Sequence, residues 1–295
     1  MTITNYMKMN TGSFNYAIIP SRKNQDFVKI GNHDDEYHWI VCCDGHGDDT
    51  FINIIRRLNW DFIMGHESSY ECLMKILETS THLYHINSGS TLAMVKIYPT
   101  QIDSITIGDT PVIIYQNEHL VYKSPLHNLN NPIEKERIQQ DGKYSVFYKY
   151  SAKIETCKKY RVSLLGYTTF HKEVSLSMTQ SIGHKGIALY KPETFIYKYE
   201  PDDNMRVIVG SDGFFDMWIF YDEAINNPAH VVDSDSDHID IVSRNSSYLS
   251  EKVLNRWTQQ WEHHWNPECQ SEYQVNCFTS EDIDDISIVV WDNLK

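Results

Sequence analysis

The stretch that decides the fold is His38-Trp39-Ile40-Val41-Cys42-Cys43-Asp44-Gly45-His46-Gly47. A short apolar run of β type stops abruptly at Asp-Gly, which predicts a buried strand feeding a loop. The pattern returns twice. Arg206-Val207-Ile208-Val209-Gly210 delivers Ser211-Asp212-Gly213, and the apolar run from Ile286 to Trp291 emerges from Asp284-Asp285. Strands that each meet an Asp mass carboxylates at one edge of a sheet. Hard oxygen donors of that kind suit Mg²⁺ or Mn²⁺ rather than zinc. The candidates are Asp44, Asp109, Asp212, Asp216 and Asp284. Any one Asp-Gly by itself reads better as a turn, by roughly two to one, so the joint pattern carries the expectation that Asp44, Asp212 and Asp284 converge on a divalent pair.

Outward from these strands, Phe51, Ile54, Ile55, Leu58 and Phe62 recur at helical spacing behind the cap candidates Asp48, Asp49 and Thr50. Ser68-x-x-Glu71 with Leu73, Leu77 and Tyr84 marks a second helix. From Ser90 to Tyr122 the β texture predicts an antiparallel meander, followed by a helix near Pro132 to Gln140. The polar stretch at about 143–175 reads as a surface flap and the acidic one at about 228–247 as a linker. After it, Leu249, Val253, Trp257, Trp261 and Trp265 are expected on one helix face.

The 295 residues, 41% hydrophobic and 22% charged, are enough for one large domain over 1–295 and too apolar for a disordered chain. The sequence has neither a leader pattern nor an uninterrupted apolar span, and its six cysteines form no C-x-x-C pair. A soluble, cytoplasmic, reducing setting is therefore expected. A formal net charge of −14 repels phosphate backbones and anionic lipid, which argues against nucleic acid and membrane partners. Asp233-x-Asp235-x-Asp237 lacks the Gly and Glu of a calcium loop, and His263, His264, Cys269 and Cys277 match no common zinc spacing. Serine-hydrolase and P-loop motifs are missing.

Asp44-Gly45-His46-Gly47, Ser88-Gly89-Ser90-Thr91, Ile107-Gly108-Asp109, Ser211-Asp212-Gly213-x-x-Asp216 and Asp284-x-Ile286-Ser287 together resemble the metal-dependent protein phosphatase 2C family in identity, order and spacing. Asn24-Gln25-Asp26, the block from His127 through Arg137 to Gly142, and Leu176 to Gly183 extend the resemblance along nearly the whole chain. It implies an α+β fold: two antiparallel sheets packed as a central sandwich with helices on the outer faces. It also implies a two-metal Mn²⁺ or Mg²⁺ site. There Asp44 would bridge both ions, the Gly45 carbonyl would bind one, and Asp212 and Asp284 the other, with Asp109 and Asp216 on a third, looser ion. Gln25 and Asp26 would support the ligands from behind, and His46 matches the general acid.

The chemistry is coherent. Two divalent ions neutralise the oxygens of a phosphate monoester and ionise a bridging water that attacks it. An imidazolium protonating the departing alkoxide is worth roughly 10²- to 10⁴-fold in rate. The chain also departs from the family. Ser21 stands where an Arg usually cradles the phosphate, so Arg22 is expected to reach it through a one-residue shift. Gln25 replaces Glu, Gln180 replaces Arg, Pro111 stands where Arg often follows the Gly-Asp pair, and His184 stands where Asp is common. The reading is a serine/threonine phosphoprotein phosphatase, a monomer acting on phosphoserine and phosphothreonine proteins. Its rival is a non-catalytic relative that binds phosphoproteins as a scaffold, against which the intact ligand set argues. A metal-dependent nuclease conflicts with the net charge.

Overall fold

The computed structural model describes residues 12–34, 36–79, 87–154, 161–169, 175–184, 187–218, 234–264 and 274–293. One antiparallel sheet runs β1 (Ser13–Ile19), β17 (Ile286–Asp292), β14 (Met205–Gly210), β7 (Val112–Gln116) and β8 (His119–Lys123). Facing it are β12 (Ile182–Gly183), β4 (Ser88–Ser90), β3 (Tyr37–Gly47), β5 (Leu92–Tyr98), β6 (Gln101–Ile107) and β13 (Glu193–Lys198), with β2 (Asp26–His33) paired to β3.

Alternation along each strand sorts its side chains into layers. Ile40, Cys42 and Val95 meet Val112, Val207, Val289 and Trp291 between the sheets. Val41 and Cys43 turn outward against Phe51, Ile55 and Ile63 of α1 (Thr50–Arg57) and α2 (Trp60–Met64) and Leu73 of α3 (Ser69–Thr79). On the far side, Ile208, Ile288 and Val290 meet Leu249, Val253 and Trp257. The central strands are thus buried on both faces, which is why they read as continuous apolar runs. The expected α-β-β-α layering is present.

Several local readings differ from the structure. The single helix over 51–62 is two: Leu58 is extended, and Asn59 caps α2 by accepting from the Phe62 N–H, which leaves Phe62 exposed. A cap residue inside a periodic stretch is invisible to periodicity. The meander also breaks, because β6 and β7 lie in different sheets. The chain crosses between them through Gly108, whose φ of +92° and closeness to Thr91 (2.3 Å from an added Cβ to Cγ2) admit only glycine.

The stretch read as a flap holds β9 (Tyr144–Ile154) and β10 (Arg161–Thr169). Together with β11 (Ser175–Leu176), β15 (Gln260–His264) and β16 (Gln274–Cys277) they form a third sheet, ordered β11-β10-β9-β15-β16. Part of the expected linker is helix. Beyond α4 (Pro132–Gln140) and α5 (Asp212–Phe215) come α6 (Ser234–Ser243) and α7 (Ser246–Trp257). Asp237 in α6 is fully buried against Arg256 of α7, so its charge is paired rather than solvated. Trp261 is buried as expected, but on β15 after the helix has ended. Tyr84, Trp265, Cys269 and residues 228–233 lie outside the described residues. Among the described residues no helix is long and apolar enough to cross a membrane.

Candidate active site

The run Asp44–Gly47, expected as a loop, continues β3, which changes partner on one side. His38–Cys42 pair with β5, whereas Gly45, His46 and Gly47 pair with Ser90, Gly89 and Ser88 of β4. On the other side Asp44 lies opposite Asp26 of β2. The Asp44 carbonyl accepts from the Thr91 N–H at 2.9 Å and the Ser90 hydroxyl at 3.0 Å, which fixes the residue at the sheet end. β14 and β17 are neighbours, and they bring Asp212 (the first residue of α5) and Asp284 to that same end. Gly213 permits the approach of the two segments: a Cβ there would lie 2.1 Å from the Asp285 carbonyl oxygen.

A cavity of about 660 Å³ opens at this end, and Asp44, Gly45, His46, Asp212, Asp216 and Asp284 line it together with Arg22, Lys23 and Gln25. One ligand atom each from Asp44, His46 and Asp212 lie within 4.8 Å of one another. Asp284 faces the same cavity outside that trio, with both its oxygens bonded to the Lys23 ammonium at 3.0 and 3.1 Å. Asp109 and Asp26 are not on the cavity wall. Both are buried behind it, and the Asn128 amide donates to Asp109 at 3.3 Å.

Burial first, and the Asp212 charge second, hold the Asp44 carboxyl well above its usual range. The same two causes raise Asp216 and push Asp109 up to about 8. Asp284 is raised as well, against the pull of Lys23. Asp26 is raised by burial, with Ser211 and Ser287 opposing. Carboxylates crowded together out of water in this way attract positive charge. Their oxygens, with the Gly45 carbonyl, fit the hard-donor preference of Mg²⁺ or Mn²⁺.

His46 Nδ1 lies 3.1 Å from the Asp44 carbonyl oxygen, which can only accept, so Nδ1 carries a hydrogen. Nε2, 3.6 Å from an Asp44 carboxylate oxygen, is therefore the atom that gains or loses a proton. Burial pushes the imidazole down to about 4; Asp212 pulls the other way, while His184 and Lys23 deepen the fall.

Arg22 lines the cavity, but its guanidinium sits at the rim, 75% exposed and 3.7 Å from both Glu281 and Asp282. The cation at the carboxylates is Lys23, which the sequence reading missed; its signal was a cation immediately before the Asn-Gln-Asp block. Asp285 was missed too. Its buried carboxylate accepts from the N–H groups of Ser21 and Gln25 at 2.5 Å and of Asp26 at 3.2 Å, which clamps the loop carrying Arg22 and Lys23. Gln25 donates to the Gly47 carbonyl at 2.9 Å and to Asp49 at 2.8 Å, bonds that the Glu it replaces could not donate. Gln180 donates to Glu134 at 3.0 Å, and His184 is buried beside Gly89.

Known proteins share this fold. The chain is similar in fold to a C. elegans sex determining protein (TM-score 0.56, 15% identity), covering 96% of this chain and 64% of that longer one. It is also similar to the serine-threonine phosphatase 2C from Toxoplasma gondii (TM-score 0.53, 14% identity), over 95% of this chain and 94% of that one. A third similar fold is the serine/threonine phosphatase Stp1 from Staphylococcus aureus (TM-score 0.51, 13% identity, 94% and 93% covered). Over 55 residues, 19% of its length, the chain is 42% identical to Protein phosphatase 1B of Rattus norvegicus, a segment spanning only 14% of that protein. The profile of the protein phosphatase 2C family matches residues 24–225, more than half of the 295-residue chain and a span that takes in Asp44, Asp109 and Asp212, and the chain therefore belongs to the protein phosphatase 2C family.

Proposed function

We propose that this chain is a metal-dependent phosphatase that hydrolyses phosphoserine and phosphothreonine in proteins. The observation that carries the reading is the meeting of Asp44, Asp212 and His46 at one open cavity, with Asp284 and Asp216 on its walls. Asp44, the Gly45 carbonyl, Asp212 and Asp284 would hold a pair of Mn²⁺ or Mg²⁺ ions, and Asp109 and Asp216 a further one. When bound, such ions neutralise phosphate oxygens and acidify water.

The chain's own residues do the rest. Asp44 is held by β4, so it need not reorganise as charge develops. A phosphate dianion entering the cavity raises the His46 imidazole toward protonation, and the proton leaves from Nε2 to the departing serine or threonine oxygen. Arg22 stands where the phosphoprotein arrives. Its exposed ion pairs with Glu281 and Asp282 are worth only about 0–1 kcal/mol, so a phosphate dianion can draw the guanidinium away. The third sheet presents Ser175 and Leu176 of β11 on the cavity wall, which makes it a contact surface for the substrate chain. We treat 1–295 as one catalytic unit that works as a monomer.

Phosphate release from a phosphothreonine peptide, with Mn²⁺ added or chelated, tests the reading. Release that appears with Mn²⁺ and stops on chelation is expected. No release under either condition, or release indifferent to chelation, would overturn it.

A further inference from the structure

The ammonium of Lys23 lies on both oxygens of Asp284, although 261 residues separate the two in sequence. The backbone that carries it is held on every side. Asp285 takes the N–H groups of Ser21, Gln25 and Asp26, the Arg22 N–H donates to the Glu281 carbonyl at 3.1 Å, and the Lys23 N–H donates to the Ser21 hydroxyl at 3.1 Å. With the loop fixed, the four-carbon stem of Lys23 is directed into the carboxylates while its neighbour Arg22 turns to the rim. Burial works against the charge on Lys23, yet the pull of Asp284, then Asp212 and Asp44, more than restores it. Its charge thus answers the whole cluster, not one partner. An ammonium that engages both Asp284 oxygens also occupies the donors an incoming cation needs.

We propose that Lys23 is a built-in placeholder cation. It offsets the charge of Asp284, and only part of that of the cluster, when no divalent ion is bound, and it must be displaced from Asp284 when one binds. The inference rests on the metal-site reading above and adds to it a regulation of metal loading by a residue of the chain. A compact ammonium on a flexible stem suits the role, since it can leave without disturbing the loop, whereas a bidentate Arg would hold Asp284 harder. The arrangement eases the repulsion at Asp284 in metal-free protein at the cost of weaker metal binding.

Two measurements on the full chain test this. In calorimetric Mn²⁺ titration, Lys23→Met should bind roughly three- to tenfold more tightly than the unaltered chain, the scale of a partly exposed ion pair. In the unaltered chain, reductive methylation of Lys23 followed by mass spectrometry should accelerate severalfold once Mn²⁺ saturates the site, while the exposed Lys143 serves as the unchanged internal reference. Mn²⁺ binding that is no tighter in Lys23→Met, or that leaves the Lys23 labelling rate unchanged, overturns the placeholder alone. An unaltered chain that binds no Mn²⁺ overturns the metal-site reading, and the placeholder with it.

Discussion

Among the described residues, two groups of buried carboxylates are treated in opposite ways. Glu134, in the first turn of α4, is buried, which by itself would raise its pKa. It nevertheless sits below its ordinary range, because Arg137 at 2.7 Å, Thr179 at 2.5 Å and Gln180 at 3.0 Å all donate to it. On the outer helical face Asp237 is likewise answered by Arg256 at 2.6 Å and Lys252 at 2.8 Å. At the open end of the sandwich the same residue type faces its own kind: Asp44, Asp109 and Asp216 are all driven upward by burial and by Asp212. Acids that serve the fold are neutralised within the chain. Acids left in mutual repulsion hold binding capacity at the expense of stability, the usual mark of a functional site.

Asp212→Asn should have the largest effect, since the Asp212 charge helps to raise its neighbours. Peptide phosphatase activity should fall on the order of 10³-fold, taking the scale of lost electrostatic stabilisation, and Mn²⁺ affinity should drop in calorimetry. Retention of both would show the cluster to be an acidic surface and nothing more. Next in size, His46→Ala should slow hydrolysis of a phosphothreonine peptide by about 10²-fold and of p-nitrophenyl phosphate by much less, because nitrophenolate leaves without protonation. Equal losses on the two substrates would assign His46 to the metal site or the fold instead.

Stability should move in opposite directions in the two regions. Burial and then the Asp212 charge push Asp109 up to about 8 in the fold, against about 4 when unfolded, so stability is lost progressively as pH rises between those values. Asp109→Asn should therefore raise the melting temperature of metal-free protein at pH 8, by about 2–4 °C per kcal/mol relieved, and gain nothing at pH 4. Glu134 has the reverse sign. Its folded pKa is depressed, so its contribution is present above the ordinary Glu value and is lost as pH falls through the folded one. Glu134→Gln should cost about 1–3 kcal/mol in urea at pH 7, a penalty that shrinks in acid. Shifts of the same sign in both variants would erase the distinction.

The smallest effect contrasts two arginines. Arg22 at the rim should act on substrate alone, so that Arg22→Ala raises KM a few-fold, leaves kcat nearly unchanged and does not move the urea midpoint; exposed pairs of this kind are worth about 0–1 kcal/mol. Arg137, bonded to Glu134, should lower the midpoint when replaced by Ala. If Arg22→Ala has no kinetic effect, Lys23 or the metal ions hold the phosphate without it.

The central apolar strands, the acidic residues near their ends and, through five ordered motifs, the family were all legible in the sequence. Each of these is written in a few contiguous residues: an apolar run needs burial, and the Asp beside it falls near the end of the sheet. Other features were settled only by the tertiary structure. Among them are the switch of β3 from β5 to β4 at Gly45, the crossing between sheets at Gly108, the folding of an acidic stretch into α6, and the placing of Lys23 rather than Arg22 on Asp284. All depend on partners far away in the chain, and local pattern carries no register. Whether a buried carboxylate is neutralised, as in Glu134, or left to repel its neighbours, as in Asp44, is decided by which distant side chains packing brings within a few ångströms, where Coulomb energies outweigh any local preference.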